Sequence, residues 1–61
     1  MSAAELSSLA TQLEELTRRV VSIADGYSAA RREDVAHELY TVERSLNTAH
    51  RRLTKLVDAR P

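Results

Sequence analysis

Between Val35 and Leu56 the apolar residues Val35, Leu39, Val42, Leu46, Ala49, Leu53 and Leu56 follow one another at spacings that strictly alternate four and three. That period keeps a single line of a helix apolar over three heptads and is incompatible with a strand, whose faces alternate every second residue. A second run answers it nearer the N-terminus. Leu6, Leu9, Leu13, Leu16, Val20 and Ile23 are spaced three, four, three, four and three. Two matched seams in a chain of 61 residues leave room for little else. The expected fold is all-α: an antiparallel, coiled-coil-like helical hairpin occupying residues 1–61 as one domain.

The boundaries follow from local chemistry. Ser2 followed by Glu5 is a capping box, in which the Ser hydroxyl takes the Glu5 backbone N–H at the start of a helix and the Glu5 carboxylate returns to the Ser2 N–H. Gly26, the single glycine, stands just past the last seam residue, where a left-handed C′ residue is often wanted. Ser28 reads as the N-cap of the next helix, and Pro61 as its stop. Residues 3–25, 25–28 and 29–59 are therefore expected as helix, turn and helix, each within a few residues. In that frame the second helix is the longer. Leu16 lies near Leu39, Leu13 near Val42 and Leu9 near Leu46, while Leu53, Leu56 and Val57 reach the start of the first helix or pass it.

Reading the first run as a heptad puts Leu6, Leu13 and Val20 at a, Leu9, Leu16 and Ile23 at d, and the small residues Ala10, Thr17 and Ala24 at e. Small residues beside a seam widen the apolar face and let a neighbouring helix come close, which suits a bundle better than a two-stranded coil. Two helices alone cover each seam from one side only, and chains of this size are marginal unless something staples them. There is no cysteine to do so. Self-association is the staple that remains. A two-fold homodimer forming a four-helix bundle is the expected assembly, with docking onto another helical protein as the competitor.

The same seam argues against catalysis. Helical bundles that hold metals or do chemistry project Glu, His, Arg or Lys into the core, whereas every a and d position here is apolar. No enzyme activity, cofactor or metal is expected. His37 has Glu33 and Asp34 at helical spacing, but it falls on the solvent side with no second histidine near it. Any function beyond assembly is expected on the stripe beside the second seam, which carries Ala36, Tyr40, Glu43, Asn47, His50, Thr54 and Val57. Within it Tyr40, Glu43, Asn47 and His50 are the candidate partner contacts, tyrosine in particular offering area together with a hydroxyl.

Charge sets the alternative. Nine basic and nine acidic residues balance, but the first helix begins acidic and the second ends basic. Arg51, Arg52, Lys55 and Arg60 form a local patch that could track phosphates, which makes a small nucleic-acid-binding regulator the second reading. Zero net charge and the lack of interleaved aromatics place it behind the interaction module. No segment has the length and hydropathy of a signal peptide or a membrane span, so a cytoplasmic protein without membrane contact is expected. Eight arginines against one lysine, with many alanines, fit the coding bias of a high-GC bacterium.

Overall fold

The computed structural model describes residues 2–59 and contains two helices, α1 (Ala3–Ala29) and α2 (Glu33–Ala59), packed against each other. Each has 27 residues. The Ser2 Oγ accepts the Glu5 N–H at 3.2 Å, so the Ser2 half of the expected capping box opens α1. Glu33 and Asp34 occupy the first turn of α2, where negative charge complements the helix dipole.

The turn lies four residues beyond the glycine. α1 runs straight through Asp25-Gly26-Tyr27-Ser28 and ends in a Schellman arrangement around Arg31, whose φ is 63°. The Arg32 N–H bonds to the Tyr27 carbonyl at 2.8 Å, and the Arg31 N–H to the Ser28 carbonyl at 3.0 Å. These two bonds satisfy carbonyls that the helix end would otherwise leave open. Gly26 has ordinary helical geometry instead. A glycine inside a helix costs only about 1 kcal/mol relative to alanine, and continuing the helix buries Ala24 completely against α2. Ser28 does not cap α2 as expected; it is a helical residue whose Oγ donates to Glu33 at 2.9 Å across the turn. Arg32, just before α2, forks onto Asp34 at 3.2 and 3.3 Å, and the guanidinium holds that carboxyl below the usual range.

Moving the turn resets the register. The Tyr40 hydroxyl donates to the Asp25 carboxylate, and His50 Nε2 lies 3.7 Å from Glu14. Residues at one level are then found by stepping equally up one helix and down the other. Ile23 stands level with Val42, Leu16 with Ala49 and Leu9 with Leu56. The expected neighbours of Leu16, Leu13 and Leu9 (Leu39, Val42 and Leu46) are each displaced by nearly three turns. No overhang of α2 results either: Val57 and Asp58 sit beside Ala3 and Ala4. The arms are equal in length, and the molecule is a rod 45 Å long and 14 by 13 Å across its Cα atoms. The Pro61 stop falls outside the described residues.

Small side chains make the contact between the arms. Leu6, Ala10, Ala24 and Ala36 are buried, and so is Thr17, whose hydroxyl donates to the Leu13 carbonyl at 2.7 Å. Leu13 and Val20 on α1, with Leu39, Leu46 and Leu53 on α2, are half-buried around them. Among the described residues no large side chain is fully buried. The hairpin has a contact line in place of a core.

Candidate functional site: an apolar face and a polar groove

Packing through Ala10, Thr17 and Ala24 rotates α1 so that its a and e rows face α2. The d row is left at the side. On α2 the corresponding row is Val35, Val42, Ala49 and Leu56, seven residues apart, and it turns to the same side. Leu9, Leu16, Ile23, Val42 and Leu56 are each between 43% and 54% exposed. The single seam read in each helix is thus divided between two tasks. Leu6, Leu13 and Val20 with Leu39, Leu46 and Leu53 join the arms, and the remaining seam residues form a flat apolar face.

That face is a ladder. Its rungs are Leu9 with Leu56 at the open end, then Leu16 with Ala49, then Ile23 with Val42, and Ala30 with Val35 at the turn. Seven helical residues separate successive rungs, about 10.5 Å. A shallow hollow lies between Leu9, Leu13, Leu16 and Leu53. One edge of the ladder is lined along α2 by Glu38, Ser45 and Arg52, which lie three or four residues from successive face positions. All three are exposed. Along α1 the corresponding edge carries Gln12, Arg19 and Gly26.

The opposite side of the hairpin is chemically different. A groove of about 570 Å³ runs between the helices, with Glu14, Arg18, Val21 and Asp25 on one wall and Glu43, Asn47 and His50 on the other. Arg18 donates to Glu14 at 2.9 Å, so Glu14 stands between a fixed cation and His50. The turn-proximal end is closed by Tyr40, whose hydroxyl proton is held by Asp25; this contact raises the Tyr40 pKa above the ordinary phenol value. Val21 and the buried Thr17 give the groove an apolar floor. Among the described residues no three His, Asp or Glu side chains converge as a metal site would require.

Of the four residues singled out for partner contact, Glu43, Asn47 and His50 share one wall of this groove, and Tyr40 stands at its end against Asp25. Tyr40, Glu43 and His50 lean toward α1 and are half-buried, while Asn47 is exposed. Their partners on α1, Asp25 and Glu14, had no seam position to mark them in the sequence. They become legible only once the register is known. Arg51, Arg52 and Lys55 are exposed within one turn of α2. Arg51 and Lys55 are one turn apart on the solvent side, Arg52 belongs to the edge of the apolar face, and Arg60 lies outside the described residues. His37 is exposed beside Glu33 and Glu38 near the turn. No described helix is long and apolar enough to cross a membrane. Comparison with models of protein families, with curated proteins and with solved structures finds no match to this chain.

Proposed function

We propose that this chain is a non-enzymatic interaction module, a helical hairpin that self-associates through its apolar face and acts as an adaptor. The observation that carries the reading is the row of five large apolar side chains, Leu9, Leu16, Ile23, Val42 and Leu56, left about half exposed on one side of a hairpin in which, among the described residues, no large side chain is fully buried. A contiguous apolar strip on a soluble surface marks an interaction site. A second copy laid on that strip converts it into the core that the hairpin lacks, completing a four-helix bundle. The rod measures 45 by 14 Å across its Cα atoms. Covering one long side removes on the order of 600 Å² per protomer, and the total of about 1,200 Å² falls at the lower end of specific interfaces.

Assembly on one side leaves the groove free on the other. Tyr40, Glu43, Asn47 and His50 are then the surface available to a further protein. Sedimentation or light scattering tests the first half of the proposal: the expected mass is twice the 6.8 kDa of the chain. A monomer at micromolar concentration that melts cooperatively, at a temperature independent of concentration, would overturn it. Capture from the source cell with Tyr40→Ala as the control tests the second half, since that substitution should reduce partner recovery while leaving the dimer intact.

A further inference from the structure

We propose that the second copy lies on the apolar face with its turn at the opposite end, related by a two-fold axis passing between the Leu16/Ala49 and Ile23/Val42 rungs. The inference rests on the self-association proposed above and specifies its geometry. Side-chain size along the ladder is uneven: it is greatest in the two leucines at the open end, smaller in Leu and Ala, larger again in Ile and Val, and smallest in Ala and Val at the turn. Two copies with their turns together would stack like on like. Four leucines would crowd one end of the bundle, and alanines and valines would leave the other end hollow. Cores tolerate neither excess volume nor voids well.

Reversing the second copy evens out these differences. Each outer layer then holds two Leu, one Ala and one Val, and each inner layer holds Leu, Ala, Ile and Val. Helices whose layers have near-equal volume keep a constant separation over their length, which straight helices need. Charge supports the same orientation. The axis sets Glu38 of each copy against Arg52 of the other along the α2 edges, and brings the two Ser45 residues together between those pairs. On the α1 edges the two Arg19 side chains approach, each with Glu15 one turn back to offset the like charge. With the turns together, Glu38 of one copy and Arg52 of the other stand fourteen residues apart along the bundle, about 21 Å, and no such pair forms.

Charge exchange tests the geometry, and mass tests the reading beneath it. Glu38→Arg or Arg52→Glu alone places like charges at two symmetric positions and should weaken the dimer about fivefold or more. The double variant should restore it to within about twofold of the parent. Single effects that simply add in the double variant would overturn the orientation. A wild-type chain that stays monomeric would instead remove the self-association on which it rests. The chain has no cysteine, so a single spin label at Ala29→Cys gives an independent distance. Turns at opposite ends predict about 30 Å between labels, and turns together predict less than about 20 Å. The shorter distance would overturn the proposal whatever the charge variants do.

Discussion

Leu16 is the most informative side chain to shorten. In the hairpin it remains 46% exposed, so about half of its surface is still available to a second copy. Burying a leucine side chain fully is worth ~1.5–3 kcal/mol, so the dimer gains about 1 kcal/mol from each Leu16. A two-fold interface uses the residue twice. Leu16→Ala should therefore weaken dimerisation by about 2 kcal/mol, a rise of roughly 30-fold in Kd. Sedimentation equilibrium across a concentration series measures it directly, and thermal melts provide a second reading. Because assembly stabilises only the folded chain, the wild-type Tm should climb with concentration, and that climb should move to higher concentration in the variant. Val21→Ala on the groove side is the matched control. It trims a comparable apolar group facing away from the ladder and should leave Kd unchanged. A Kd for Leu16→Ala within about twofold of wild type would refute the reasoning, because Leu16 would then face water in the assembly as it does in the single hairpin.

Three further outcomes follow from the turn and the groove. Gly26 is helical, and a Cβ built on it meets nothing within 4 Å. Gly26→Ala should stabilise the hairpin by ~0.5–1 kcal/mol in a denaturant melt, and a loss of stability would mean that the glycine is needed for close approach. Arg31 holds a left-handed backbone at φ 63°, so Arg31→Gly should raise the stability of the hairpin, while Arg31→Val should lower it by about 1 kcal/mol or more in a denaturant melt. The Asp25 contact raises the Tyr40 pKa in the folded chain. Its stabilising contribution is therefore fully present below the unfolded tyrosine pKa of about 10 and disappears as pH rises through the higher folded value. Tyr40→Phe should remove that alkaline component from a plot of stability against pH, and an unaltered plot would show that the hydroxyl adds nothing.

The all-helical hairpin was legible because it depends on period alone. Two runs at alternating three and four, a Ser2–Glu5 cap and one break admit few other folds, and Ser2 caps α1 as that chemistry requires. The position of the break was not legible. Gly26 is the obvious stop by composition, yet its cost inside a helix is small enough for tertiary contact to override. The actual reversal uses Arg31, a residue that carries no sequence signal for a left-handed backbone. A displacement of four to five residues at the turn becomes a register shift about twice as large, because both arms slide. The level partners of every candidate site residue change with it. That is why the wall made by Glu43, Asn47 and His50, with Tyr40 at its end, could be read as a stripe, while its opposite wall of Glu14, Arg18 and Asp25 could not.

The division of the seam has a simple physical origin. A 3-4 repeat specifies an apolar line but not which flank of that line will face the first partner. Here the small residues Ala10, Thr17, Ala24 and Ala36 decide. Where they sit, two backbones can come close, and the hairpin closes on that flank, burying each of them. Closing on that flank brings the a and e rows into the contact, so the d row of α1 and its counterpart on α2 are turned to one side together. Had the e positions been bulky, the arms would have met through both a and d rows, and no apolar ladder would remain. Replacing Ala24 with a larger apolar residue should therefore do more than strain the hairpin. By forcing the arms apart at a position with no free space, it should draw Ile23 and Val42 inward and weaken the dimer beyond what the loss of hairpin stability accounts for. Ala24→Leu measured by both melting and sedimentation separates the two effects, and a dimer constant that follows hairpin stability alone would show that the ladder does not depend on this close contact.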